Sequence, residues 1–173
     1  GIMGLGAMGL RAASMLRGLG IPVLGWSRTR KSVPGMECFA GPAEQGAFLA
    51  RSDVLVCLLP ATPETAGLIA APLLSQLPPG AGLVQVGRGA HQVLPDIIAA
   101  LDSGQLSAAV LDVFETEPLP PESPAWTHPR ITVTPHVAST PSRAERARYI
   151  AGCIARFERG ETLPNLYVPE RGY

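Results

Sequence analysis

The sequence predicts an α/β fold built on a doubly wound parallel sheet. Two observations carry that expectation. Apolar runs of strand length alternate with stretches of helical period through most of the 173 residues, and parallel strands need such crossover helices. A glycine-rich turn, Gly4-Leu5-Gly6-Ala7-Met8-Gly9, also stands between the first apolar run and the first helical stretch. A composition of 46% hydrophobic and 16% charged residues fits a packed domain and excludes a disordered chain.

The elements follow in order. Ile2-Met3 ends a first strand. Residues 7–19 have helical period, with Met8, Ala12, Met15, Leu16 and Leu19 on one face and Arg11 and Ser14 pointing away. Gly18 and Gly20 stop this helix. Residues 21–26 read as a second strand and 43–50 as a short helix. Residues 54–59 form a continuous apolar run, the signature of a strand buried on both faces. After Pro60 and Pro63, residues 64–77 are expected to be helical in two pieces. Residues 82–86 read as a strand, 93–102 as a helix and 108–113 as a strand. Five prolines make 115–129 a loop, and 131–134 is a short strand. A long helix is expected over 141–158, with Thr140 as its cap, Pro141 in its first turn and Gly160 after its end. Residues 161–173 read as an extended tail.

The division expected is a nucleotide-binding domain over 1–140 and a C-terminal helix and tail over 141–173. The chain opens without Met, and Ile2-Met3 reads as the last part of a longer strand. A fragment is therefore the expectation.

Charge narrows the partners. Fourteen basic residues balance fourteen acidic ones, for a formal net charge of +0. No overall field draws the chain to nucleic acid or to a membrane surface, so neither is expected as a partner. Cys38, Cys57 and Cys153 are too widely spaced for a metal motif or a disulfide framework, and no metal is expected. With no apolar run of membrane-spanning length, the expected location is cytoplasmic.

The glycine turn carries the first chemistry. Gly4 suits the tight turn, Gly6 admits a pyrophosphate against the backbone, and Gly9 lets helix and strand pack closely. Ala7 and Met8 open the helix, whose unpaired N–H groups would meet the anion. A dinucleotide site is the expectation. The end of the second strand refines it. A site for NAD commonly places Asp or Glu there to hold the ribose 2′-hydroxyl. Here the residues are Ser27-Arg28-Thr29-Arg30-Lys31. Arg28 suits stacking on or binding a 2′-phosphate, and Arg30 or Lys31 suits pairing with it. The cofactor expected is NADP, as NADPH.

Three ionisable residues fall in loops after strands, where open α/β sheets bind ligands. Arg88 lies in Val86-Gly87-Arg88-Gly89, Glu117 in Asp112-Val113-Phe114-Glu115-Thr116-Glu117-Pro118, and His136 in Thr134-Pro135-His136. In that order, these motifs resemble the D-isomer-specific 2-hydroxyacid dehydrogenases, and the likeness covers nearly the whole chain. Residues 26–31, Leu58-Leu59-Pro60, Thr62-Pro63-Glu64-Thr65, residues 119–124 and Arg171-Gly172-Tyr173 are similar to the bacterial glyoxylate/hydroxypyruvate reductases of that family.

The resemblance implies a Rossmann-like domain and a set of roles. Arg88 would hold the carboxylate and carbonyl of a 2-oxoacid through paired hydrogen bonds. His136 would protonate the carbonyl oxygen, and Glu117 would orient His136 and keep it protonated. Asp112 would lie near the nicotinamide carboxamide. Leu59 and Pro60 would line the adenosine and ribose side, and Val86 and Gly87 would complete the cofactor wall. It also implies reduction of glyoxylate or hydroxypyruvate, a homodimer, and a substrate domain ahead of residue 1. The helix over 141–158 would lead back to that domain and would show an exposed apolar face without it.

The residue before the Arg-Gly pair, commonly Asn or Ala in the family, is Gly87 here. Alternatives are a non-catalytic NAD(P)-sensing module, or another D-2-hydroxyacid dehydrogenase resembling phosphoglycerate dehydrogenase. The glycine turn also resembles that of the 3-hydroxyacid dehydrogenases, which need a catalytic Lys on a later helical domain. The only Lys here is Lys31, in the cofactor loop. Formate dehydrogenase fits less well, because that branch pairs its His with Gln.

Overall fold

A computed structural model of the chain describes residues 1–169. The end of the expected tail, including Arg171-Gly172-Tyr173, lies outside the described residues. Two compact units are present, one ending at His136 and one beginning at Val137.

The first unit holds seven parallel strands: β1 (Ile2–Met3), β2 (Leu24–Ser27), β3 (Glu37–Ala40), β4 (Val54–Cys57), β5 (Ala81–Gln85), β6 (Leu106–Leu111) and β7 (Ile131–Val133). Their order across the sheet is β3-β2-β1-β4-β5-β6-β7. The chain therefore winds outward in one direction from β1, returns, and winds outward in the other from β4. The helices are α1 (Ala7–Gly18), α2 (Gly41–Leu49), the one-turn α3 (Ala71–Leu74) and α4 (Leu94–Asp102), with 3-10 turns at Gly89–His91 and Pro124–Trp126. This is the doubly wound Rossmann-like fold expected.

Alternation along the strands divides the core between the two sheet faces. Met3, Leu55, Cys57 and Leu83 join Phe48 and Leu49 of α2, Leu73 and Leu74 of α3, and Ile97 and Leu101 of α4 in the larger cluster. Ile2 joins Leu5, Ala13 of α1 and Met36 in the smaller one. Opposite the larger cluster, β4 to β7 are left partly open. Val54 is 47% exposed, and Val56, Val84 and Val110 are half-buried. The run at 54–59 is thus not buried on both faces, contrary to what its apolarity predicts.

Several expectations need correction. The buried side of α1 is formed by Gly9 and Ala13, with Ala12 and Leu16 half-buried against the smaller cluster. Met8, Met15 and Leu19 point outward at 48%, 59% and 78% exposure. Close approach of α1 to β1 demands small residues at the contact, so hydrophobicity alone selects the wrong face. β2 begins at Leu24, after Pro22 has removed a ladder donor. Edge strand β3 has only the short apolar run Cys38-Phe39-Ala40 after exposed Glu37, and is not among the strands expected from the sequence.

Within 64–77 only α3 is helical. Thr65 Oγ1 accepts from the Thr62 N–H at 2.9 Å and donates to the Pro60 carbonyl at 2.8 Å, a local turn that competes with helix.

In the second unit, α5 (Arg143–Glu158) starts after Ser142. Thr140 is not its cap, because Ser142 and Glu145 form a reciprocal capping box. Ser142 Oγ accepts the Glu145 N–H at 3.2 Å, and Glu145 Oε2 accepts the Ser142 N–H at 2.8 Å. Tyr149, Ile150, Ile154 and Phe157 of α5 are all about half-exposed or more. Among the described residues no helix is long and apolar enough to cross a membrane.

Candidate functional site

The carboxyl ends of the parallel strands gather every loop singled out by the sequence. The turn between β1 and α1 comes first. Gly4 has φ +111°, a left-handed backbone, and a Cβ there would stand 2.6 Å from the Leu58 carbonyl oxygen. A Cβ on Gly9 would collide with the Gly4 carbonyl. Gly6, the helix N-cap, is different: among the described residues beyond its chain neighbours, no atom lies within 4 Å of the place its Cβ would take. The helix starts there, at Ala7 and Met8, so the side of the turn marked by Gly6 is open at the positive end of α1. That is the cradle a pyrophosphate requires.

The basic loop after β2 is more ordered than its charge suggests. Buried Ser27 donates through Oγ to the Thr29 carbonyl at 2.8 Å. Arg30 pairs with Glu44 of α2 and donates through Nη1 to the Cys38 carbonyl at 2.7 Å. Arg30 thus braces the loop against β3 and α2, while Arg28 and Lys31 present exposed cations. Carboxylates also arrive from elsewhere in the sequence: Glu44 lies on Arg30, and Glu64, whose pKa is lowered first by Thr62, also feels the Arg28 charge.

Leu59 and Pro60 follow β4, Leu59 buried and Pro60 half-buried. Val86, Gly87 and Arg88 follow β5, the adjacent strand. The backbone of residues 87 and 88 is held by side chains rather than by a ladder. Gln85, fully buried, accepts the Gly87 N–H and donates to the Arg88 carbonyl, both at 3.1 Å. His91 accepts the Arg88 N–H through Nδ1 at 3.1 Å, while its Nε2 lies 3.1 Å from the Pro60 carbonyl. Exposed Arg88 donates through Nη1 to the Gly87 carbonyl at 2.7 Å. A Cβ on Gly89 would overlap the Phe114 carbonyl, so the loops after β5 and β6 meet backbone to backbone.

Asp112 joins the ends of β6 and β7. It is 3% exposed. Its carboxylate accepts from Thr134 Oγ1 at 2.5 Å, and its carbonyl accepts the His136 N–H at 2.9 Å. His136 adopts φ +53°, a left-handed conformation that His tolerates better than most residues. From there its Nδ1–H donates to Glu117 Oε2 at 2.8 Å. The other Glu117 oxygen accepts the Phe114 N–H at 2.9 Å. The His136 ring, then the Phe114 amide, hold the Glu117 carboxyl below the ordinary carboxylate range. With Nδ1 engaged by Glu117, Nε2 is the nitrogen of His136 that can exchange a proton with a ligand.

The structure therefore pairs Glu117 with His136, ties Asp112 to the same loop and sets Arg88 on the neighbouring one. Sequence reasoning missed Gln85 and His91. Their only signal was position: polar side chains immediately before and after a loop bearing an exposed cation. It also missed Glu44, which nothing in the spacing to Arg30 announces.

Residues 1–138 match the family model described as D-isomer specific 2-hydroxyacid dehydrogenase, NAD binding domain. Similar solved structures carry nicotinamide cofactors. A probable 2-hydroxyacid dehydrogenase from Rhizobium etli, in complex with NADP, HEPES and tartaric acid, is 41% identical over 99% of this chain, with a TM-score of 0.93. A D-isomer specific 2-hydroxyacid dehydrogenase from Xanthobacter autotrophicus, with NADPH and MES, is 45% identical over 99% of this chain and 71% of its own, with a TM-score of 0.94. An NADPH-dependent glyoxylate/hydroxypyruvate reductase from Sinorhizobium meliloti, with NADP and sulfate, is 43% identical over 99% of this chain, with a TM-score of 0.92. The chain spans 56% of the length of the Rhizobium and Sinorhizobium proteins.

Proposed function

Since the chain belongs to the D-isomer-specific 2-hydroxyacid dehydrogenases, we propose that it is the cofactor-binding part of an NADPH-dependent reductase of small 2-oxoacids such as glyoxylate or hydroxypyruvate. The observation that carries this reading is the His136–Glu117 pair beside the Arg88 loop. A non-catalytic nucleotide sensor has no need of a buttressed imidazole with a second nitrogen available.

The turn around Gly6 fits the dinucleotide, since its open backbone would receive the pyrophosphate. Gly4 and Gly9, with Ala7 and Met8, shape that cradle. Arg28 and Lys31 would hold a 2′-phosphate, with Ser27 and Arg30 fixing the loop that presents them. Leu59, Pro60, Val86 and Gly87 would line the remaining cofactor wall, and Asp112 would face the carboxamide. When bound, NADPH supplies the hydride that reduces the carbonyl carbon.

Arg88 binds the substrate carboxylate by charge-assisted hydrogen bonds and polarises the carbonyl beside it. His136 Nε2–H donates its proton to the carbonyl oxygen as negative charge develops there. Glu117 keeps the ring fixed through Nδ1. In the reverse direction His136 takes the hydroxyl proton. The assembly proposed is a homodimer.

The test is turnover by the full-length protein. Glyoxylate and hydroxypyruvate are each offered with NADPH and with NADH, and loss of the reduced nicotinamide absorbance is followed. Faster turnover with NADPH supports the reading. No turnover of either acid, in a folded protein that binds NADPH, would support the sensor alternative instead.

A further inference from the structure

We propose that His91 is a positioning residue that locks the Pro60 loop and the Arg88 loop into one unit, setting the substrate-binding guanidinium against the cofactor wall. This rests on the functional reading above for the roles of those two loops. The geometry itself stands independently. His91 closes the 3-10 turn Gly89–His91 and is fully buried. A carbonyl oxygen can only accept, so the ring's Nε2 carries the hydrogen and donates to the Pro60 carbonyl. Nδ1 is then a lone pair, and it takes the Arg88 N–H. The Cys57 thiol, 3.9 Å from the same nitrogen, is kept protonated by burial and can only donate to that lone pair.

Each ring nitrogen therefore serves a different loop, at the ends of the adjacent strands β4 and β5. Gly87 leaves the ring its seat, because a Cβ there would stand 2.8 Å from Nδ1. Burial, helped by the Arg88 charge, holds the imidazole pKa below its ordinary value against the upward pull of the Pro60 carbonyl, and so favours the neutral ring. Since Gln85 fixes the other polar groups of the Arg88 loop, His91 is the link that carries its position across to Pro60.

Two near-isosteric replacements separate the two contacts. His91→Asn places an amide oxygen near Nδ1, keeping the Arg88 contact and dropping Pro60. His91→Gln places an amide nitrogen near Nε2, keeping Pro60 and dropping Arg88. Both are made in the full-length protein, with thermal melting as the check on folding. Expected for His91→Gln is a 2-oxoacid KM raised about five-fold, with kcat and the NADPH Kd nearly unchanged, the size of one lost hydrogen bond. Expected for His91→Asn is an NADPH Kd raised about five-fold, with the 2-oxoacid KM nearly unchanged.

A residue that merely fills space would move both constants together or neither, and either result overturns the proposal. If the wild-type protein turned over no 2-oxoacid, the proposed function would fall separately. Oxalate binding to the NADPH complex would then replace KM. The imidazole 15N shifts would still report whether His91 carries its hydrogen on Nε2, and a hydrogen on Nδ1 would sink the assignment.

Discussion

Glu117 and His136 stand 2.8 Å apart, although one follows β6 and the other follows β7. Three anchors make the approach possible: the Phe114 amide on Glu117, the Asp112 carbonyl on the His136 N–H, and Thr134 on the Asp112 carboxylate. Replacing Glu117 by Gln preserves size and removes charge. We expect kcat for 2-oxoacid reduction to fall by about ten- to a hundred-fold, less than the roughly hundred- to ten-thousand-fold worth of the proton transfer that His136 itself still supplies, with NADPH affinity unchanged. Because pairing lowers the Glu117 pKa, its contribution is complete above the ordinary carboxylate value. It is lost only as pH falls through the lower, folded value. A pH profile of kcat in wild type and Glu117→Gln checks this.

The basic loop yields a contrast between two arginines. Arg28→Ala should weaken NADPH binding by about ten-fold and leave NADH binding unchanged, the cost of one charge-assisted contact. Arg30→Ala removes a brace to Glu44 and Cys38. It should therefore weaken both nucleotides by a similar, smaller factor. Titration of the full-length protein with each nucleotide decides the matter. A selective loss of NADPH in the Arg30 variant would mean that Arg30, and not Arg28, holds the phosphate.

Two glycines of one turn should respond oppositely. Gly6→Ala meets open space, so its melting temperature should match wild type while NADPH binding drops by at least about ten-fold through blocked approach of the pyrophosphate. Gly9→Ala strikes the Gly4 carbonyl and should destabilise the fold by about 1–3 kcal/mol. Melting curves with and without NADPH separate the two effects.

His91 makes stability depend on pH. Its folded pKa lies below the ordinary value of 6.5. The unfolded chain therefore binds a proton first as the solution is acidified, and stability is lost as pH falls from 6.5 towards the folded value. His91→Gln should flatten that part of a melting-temperature profile taken from neutral pH down to about 5. An unchanged slope would mean that other groups dominate acid sensitivity.

The alternation of apolar runs exposed the sheet, and the glycine turn located the nucleotide end. Element borders were harder. Ser142 outcompeted Thr140 because capping depends on a carboxylate three residues later, at Glu145. Residues 62–68 carry helical residues but fold into a threonine-bridged turn. The outward side of α1 shows why apolarity can mislead, since contact with β1 selects Gly9 and Ala13 over the larger Met8 and Met15. Glu117 and His136 were legible because each lies in a loop motif after a strand. His91 and Gln85 were not, because their work is to satisfy backbone groups whose orphaning only a folded loop reveals.

The meeting of Gly89 with the Phe114 carbonyl has a bearing on redesign. The spacing between those two loops is dictated by main chain, which substitution of side chains cannot widen. Trimming neighbouring side chains would gain no space between the two loops. A library that randomises position 89 would therefore consist mostly of misfolded protein.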